Sequence, residues 1–184
     1  LELPAGQRGL VAGRLVEESE SEQGYRAVFE FPFPSEGIDL MAGPYAIETQ
    51  AHQNINHRPI QLRTYFHPQI KNLSHDYLQA VKRYLEMYEA WIGEYPYTEF
   101  SVVSSPTPTG FGMPTLTYLG IDVLQLPFIR DTSLGHEVLH NWWGNGVYPD
   151  YASGNWSEGL TTFMADYAYK EQESSEAARE MRLG

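Results

Sequence analysis

The segment His136-Glu137-Val138-Leu139-His140 constrains this chain more than any other stretch. It has the form H-E-x-x-H, whose chemistry requires a helix. Residues four apart lie one turn apart on the same helix face, so both imidazoles can reach a single zinc ion. Glu137 lies about 100° round that helix, close enough to reach a water on the ion. At average residue usage the pattern arises by chance in fewer than about one in a hundred chains of this length. The neighbouring residues agree with a helix. Asp131, Thr132 and Ser133 offer an N-cap just upstream, and Gly144-Asn145-Gly146 stops the helix soon after His140.

A third ligand is expected from the next helix. Asn155-Trp156-Ser157-Glu158-Gly159 opens it, and Leu160, Phe163, Met164 and Tyr167 form its expected apolar stripe. Glu158 falls in the first turn. A helix–loop–helix return would bring it back to His136 and His140. That gives two histidines, one glutamate and an open fourth position, the donor set of a catalytic zinc site. His52, His57, His67 and His75 have no partner at ligand spacing and read as surface or strand residues. Trp142, Trp143 and Trp156 read as packing around the zinc helices.

The rest of the chain reads as α+β. Residues 10–16 and 25–31 are two expected strands, separated by a polar loop over 17–24. Residues 45–49 and 59–66 form a second pair. Ser74 is the expected N-cap of a helix whose Tyr77, Leu78, Val81, Tyr84, Leu85, Tyr88 and Ile92 recur at helical spacing until Gly93 and Pro96. Residues 100–103 form a short buried strand, and 110–120 one further strand.

The chain has 184 residues, 42% of them hydrophobic, enough for a core without staples. It has no cysteine, which excludes disulfides, a thiol nucleophile and thiolate metal sites. Twelve Lys and Arg stand against 24 Asp and Glu, for a net charge of −12, which argues against a nucleic-acid partner. No uninterrupted apolar run reaches the length of a membrane span. The chain starts at Leu1 with no initiator Met, and residues 176–182 read as helix with no terminator. The expectation is a piece of a longer protein, whose compartment and oligomeric state stay open.

His136-Glu137-Val138-Leu139-His140-Asn141-Trp142-Trp143-Gly144-Asn145, followed by Ser157-Glu158-Gly159, resembles the gluzincin zinc aminopeptidase family, the aminopeptidase N and leukotriene hydrolase type. Residues 84–100, with Gly93-Glu94-Tyr95-Pro96-Tyr97, are similar to the segment leading into that family's catalytic domain. The resemblance spans about residues 40–170. It implies a thermolysin-like zincin catalytic domain, a small mixed sheet beside helices, over residues 36–184. Residues 1–35 would then be the end of an N-terminal β domain. It implies one zinc ion held by His136, His140 and Glu158, Glu137 as general base, and a peptide substrate. Gly112 and Met113 match part of the family's G-x-M-E-N substrate strand.

The match departs from the family in three places. The spacing from His140 to Glu158 is one residue shorter than usual, which a deletion in the 146–154 loop absorbs. Pro114 stands where the family carries the Glu that holds a substrate's free amino terminus, leaving exo- and endopeptidase action both open. Ala165 stands where the family has its next carboxylate, with Asp166 beside it. The family's oxyanion-stabilising Tyr lies further downstream, and no tyrosine here matches it. Two other readings share the motif: a zincin-fold binding or scaffold module that has lost turnover, and a zinc hydrolase of a non-peptide substrate.

Overall fold

The computed structural model describes residues 1–35 and 37–183. The first strands are β1 (Glu2–Leu3), β2 (Arg8–Leu10), β3 (Arg14–Ser21), β4 (Gly24–Glu30) and β5 (Met41–Gly43). Then come β6 (Ala46–Gln53), β7 (Pro59–Phe66), helix α1 (Ser74–Trp91), β8 (Glu99–Ser105), β9 (Gly110–Met113) and β10 (Leu116–Gly120). The chain continues through α2 (Ile121–Leu124), α3 (Ser133–Leu139), α4 (Trp156–Thr162), α5 (Ala168–Glu173) and α6 (Ser175–Leu183). None of the helices among the described residues is long and apolar enough to cross a membrane.

A five-stranded mixed sheet in the order β6-β7-β8-β10-β9 organises the molecule. β7, β8 and β10 run parallel, and β6 and β9 are antiparallel edges. Parallel neighbours need a crossover, and α1 supplies it between β7 and β8. Strand alternation then divides the core in two. Ile60, Leu62 and Phe66 of β7, with Phe100 and Val102 of β8, pack on Tyr77, Leu78, Val81, Leu85 and Tyr88 of α1. Leu134, Val138 and Leu139 of α3 join the same cluster, with α1 packed on β6 and β7 and α3 beside it against β9 and β10. Tyr65, Val103 and Leu116 point the other way, against Leu10, Met41 and Tyr45. All seven residues of β8 are buried, as befits a central strand covered on both faces.

Several elements differ from the sequence expectations, each for a physical reason. Residues 10–16 are not one strand. The chain breaks at Gly13, whose φ of +117° lies where side chains are disfavoured. The acidic run 17–21 is strand rather than loop, because each of its residues pairs with β4 after a bulge at Val16, and its carboxylates stay exposed or meet Tyr25 and Arg63. Residues 110–120 form a hairpin, turned by Pro114 and Thr115. Ser74 is the first residue of α1 rather than its cap, because a 3-10 turn over Pro68–Leu73 runs directly into the helix.

The first 35 residues contact the main sheet through Leu10 and also through polar groups. The Leu15 amide donates to Glu99 Oε1 at 2.7 Å, and the Gly13 amide donates to Thr115 Oγ1 at 2.9 Å. β2 pairs with β5, so a two-stranded ladder crosses the boundary expected near residue 36.

Candidate metal centre

Helix α3 presents two faces. Leu134, Val138 and Leu139 are fully buried against α1. Gly135 permits that approach: a Cβ there would collide with the Tyr84 ring and the Tyr169 hydroxyl. The Tyr88 hydroxyl donates to the Gly135 carbonyl at 3.1 Å and also meets the Tyr169 hydroxyl. The tyrosine stripe of α1 is therefore the seat of the motif helix. The opposite face carries His136, Glu137 and His140.

Helix α4 brings the third candidate ligand, the Glu158 carboxylate. The Asn155 side chain caps it by accepting from the Glu158 amide at 3.4 Å. Glu158 Oε1 lies 3.1 Å from His136 Nε2, and its Oε2 lies 3.2 Å from His140 Nε2. The two Nε2 atoms are 3.1 Å apart. Among the described residues these three side chains form a group able to hold a metal ion, with ligand atoms all within 4.8 Å of one another. The donor set fits zinc. Ligands at about 2.0 to 2.1 Å in a tetrahedron stand about 3.3 Å from each other, close to the separations found.

The far sides of both rings are also engaged. His136 Nδ1 lies 2.8 Å from Asp166 Oδ2, and His140 Nδ1 lies 2.9 Å from the Trp143 carbonyl. Each acceptor holds a proton on Nδ1 and turns the Nε2 lone pair toward the shared point. Burial disfavours a charged His136 ring, but the bond to Asp166 and the charges of Asp166, Glu137 and Glu158 hold its pKa above 6.5.

Asp166 reaches His136 through an irregular helix. An α-helix would leave a residue eight places after Glu158 about 80° round the axis. The stretch Phe163–Tyr167 is instead π-helical, and its wider turns rotate each residue less. That lag swings Asp166 back toward the ligand face. The carboxylate that could not be placed on Ala165 or Asp166 from sequence is thus Asp166, while Ala165 is buried. The expected stripe is not the buried line: Phe163 is 60% exposed, and Ser157, Thr161 and Ala165, spaced four apart, are buried instead.

Glu137 points into a cleft of about 310 Å³ that it shares with His136, His140, Glu158, Gly110 and Gly112. Burial raises the pKa of its carboxyl, aided by Glu158 and Asp166 and opposed by His136 and His140. Gly112 is brought hard against it: a Cβ at 112 would stand 2.6 Å from Glu137 Oε2. Met113, on the alternate face of β9, packs its side chain on the second core cluster instead of the cleft. The other histidines stay away from the site, and His67 bonds Ser104. Trp142 is buried against Tyr88 and Tyr95, whereas Trp156 is 41% exposed beside Trp143.

Asn141 was not singled out by sequence reasoning, yet it ties the motif helix to the hairpin. Its Oδ1 accepts the Thr115 amide at 2.9 Å, and its Nδ2 donates to the Val138 carbonyl at 3.2 Å. Nothing in the spacing around the motif marks it.

Comparison with solved structures finds the same fold elsewhere. An M1 zinc metallopeptidase from Deinococcus radiodurans is similar at 18% identity, over 94% of this chain and 39% of that one, with a TM-score of 0.67. A two-domain M1 zinc metallopeptidase mutant bound to L-arginine is similar at 17% identity, over 96% of this chain and 40% of that one, with a TM-score of 0.66. A mutant of the Deinococcus radiodurans enzyme bound to a Tyr-Ser-Ala substrate is similar at 17% identity over the same shares, with a TM-score of 0.63. The chain therefore has the mixed α/β fold of these metallopeptidases and spans about 40% of their length. No protein-family model matches the chain. No curated protein matches it either.

Proposed function

We propose that this chain carries the zinc centre of a metallopeptidase, aminopeptidase-like in its motif, that hydrolyses peptide bonds with Glu137 as general base. The observation that carries the reading is the convergence of His136 Nε2, His140 Nε2 and both Glu158 oxygens within 3.1–3.2 Å. Glu137 shares their cleft. Residues 36–184 would be the first part of a thermolysin-like catalytic domain, and residues 1–35 the end of a preceding β domain. Neighbours of the same fold bind L-arginine and a Tyr-Ser-Ala substrate, which favours peptides as the substrate class.

His136, His140 and Glu158 would hold one zinc ion, with Asp166 and the Trp143 carbonyl fixing both rings. Zinc bound there supplies Lewis-acid polarisation of a carbonyl and acidifies water. The chain's own residues do the rest. Glu137 takes a proton from the attacking water, whose oxygen bonds to the peptide carbonyl carbon. The C–N bond breaks, and Glu137 passes that proton to the departing amine.

Metal analysis with turnover of a peptide library tests this reading. Wild type should bind one zinc ion and cleave, and Glu137→Ala should bind zinc without cleaving. Equal cleavage by both would remove Glu137 from the mechanism.

A further inference from the structure

Asp166 holds His136 from the far side of its ring, and it does so from the π-helical stretch Phe163–Tyr167. Such a widened turn is rare and persists only where its surroundings over-determine it. Upstream of it, the Asn155 cap fixes the start of α4. Downstream, α5 has no fully buried residue to anchor it by packing. Its polar contacts are mostly local. Tyr167 donates to Glu171 at 3.3 Å, Lys170 donates to Glu173 at 2.8 Å, and Arg182 of α6 donates to Tyr167. Among the described residues of α5, Tyr169 is the exception. Its hydroxyl meets the Tyr88 hydroxyl of α1, and its ring centroid lies 5.9 Å from that of Tyr84.

A count of protons sets the direction of the Tyr88–Tyr169 bond. Tyr88 spends its single hydroxyl proton on the Gly135 carbonyl at 3.1 Å. Toward Tyr169 it can then only accept, so Tyr169 donates. Tyr88 is fully buried, so water does not stand in for that donor. Gly135 immediately precedes His136, and Tyr169 follows Asp166 by three residues. The contacts therefore close a circuit. It runs from the His136 side chain to Asp166, along the chain to Tyr169, through two hydroxyls to the Gly135 carbonyl, and back to His136. Opening the circuit at Tyr169 frees the widened turn to shift against the motif helix, while Tyr88 keeps its bond to Gly135.

We propose that Tyr169 is a positioning residue for the metal centre: its hydroxyl holds the widened turn in register, so that Asp166 meets His136 before any ion arrives. Tyr169 acts on His136 through Asp166. Its effect on zinc rests on the metal-centre reading above; the circuit itself belongs to the protein without the ion.

The test uses Tyr169→Phe, which keeps the ring and removes the hydroxyl. Zinc affinity is measured by competition with a chromogenic chelator on wild type, Tyr169→Phe, Asp166→Ala and the double variant, and a thermal melt shows that each is folded. Tyr169→Phe should weaken zinc binding by about threefold to tenfold, part of the loss expected when Asp166 itself is removed. In the Asp166→Ala background it should cost less than about twofold, because the residue it acts through is gone. A tyrosine with only a general structural role would cost the same in both backgrounds. A loss below about threefold in the first background, or above about twofold in the second, overturns the proposal. Proton NMR of the zinc-free protein gives a separate reading. The His136 Nδ1 proton, held by Asp166, should give a slowly exchanging downfield signal in wild type that is lost in Tyr169→Phe, as in Asp166→Ala. If wild type takes up no zinc, the metal-centre reading fails and that signal decides alone: its loss in Tyr169→Phe upholds the positioning role, and its survival there overturns it.

Discussion

Replacing Gly112 by Ala displaces Glu137, the proposed base, without touching His136, His140 or Glu158. The new Cβ would lie 2.6 Å from Glu137 Oε2, where ordinary contact begins near 3.4 Å. The gap must open by about 0.8 Å, the difference of those two distances. β9 is laddered to β10 along its length, whereas the Glu137 carboxylate is the free end of a side chain, so the carboxylate yields. A rotated carboxylate costs the fold under about 1 kcal/mol. It costs chemistry far more, since a reacting group displaced by about 1 Å loses on the order of a hundredfold in rate. The variant should therefore lose tenfold to about a hundredfold in kcat, with KM and zinc content nearly unchanged. The nearest His140 atom would be 3.7 Å from the new methyl, an ordinary contact, which is why the metal should stay. Stopped-time peptide assays, metal analysis and a thermal melt on one preparation measure all three quantities. Full kcat with zinc bound would show that the Glu137 carboxylate is not the group poised over the substrate. Loss of zinc or a melt lowered by more than about 4 °C would show that the strand had moved instead.

Other perturbations probe separate parts of the argument. Asp166→Ala should weaken zinc binding by about 10- to 100-fold in a competition assay with a chromogenic chelator, because His136 loses the acceptor that orients it. Gly135→Ala should cost about 1 to 3 kcal/mol through collision with Tyr84 and Tyr169, read as a melting point lower by several degrees. Burial pushes the Glu99 carboxyl up to about 7, outweighing the Leu15 amide and the charges of Arg63 and Arg14 that pull it down. The folded state then holds that proton more tightly than the unfolded one, so this residue's contribution to stability falls as pH rises from about 4.5 to 7. Denaturant titrations of Glu99→Gln should lack that slope and should be more stable than wild type by about 1 to 2 kcal/mol at pH 8, provided the amide keeps its bond to Leu15.

Much of the site was legible because its signals are local. His136 and His140 are one turn apart, and Asn155 caps the helix that starts two residues before the Glu158 bond to it. The α1 stripe was legible for the same reason, since its buried residues follow the helical period without interruption. What escaped was decided by pairing over distance. The acidic residues of β3 look like a loop until β4 lies beside them and Tyr25 and Arg63 meet Glu18. The hairpin at Pro114 was hidden because Thr115 takes the left-handed conformation that a sequence reader assigns to glycine. Asp166 was hidden because periodicity assumes one rotation per residue, and the π-helical turn breaks that assumption where the ligand shell needs it.

These irregularities share a cause. The motif helix is held by α1, where Gly135 lets the tyrosines close in, so its position is fixed independently of the cleft side chains. The hairpin and the α4 segment must then adjust to it. Asn141 is fully buried at the end of the motif and pins the hairpin through Thr115, at the expense of a strained φ. The segment after Glu158 accommodates its extra residue by widening one turn, at the expense of regular helix bonding. Strain of this kind persists only where the surroundings over-determine it. Here it falls on the two segments that bring Gly112 to Glu137 and Asp166 to His136. Relaxing either should therefore disturb the cleft before it disturbs the core. Thr115→Gly, which removes the strain and the Gly13 bond while keeping the amide to Asn141, should leave zinc content unchanged. A variant that lost zinc would show that the hairpin supports the metal centre itself and not only the open edge beside it.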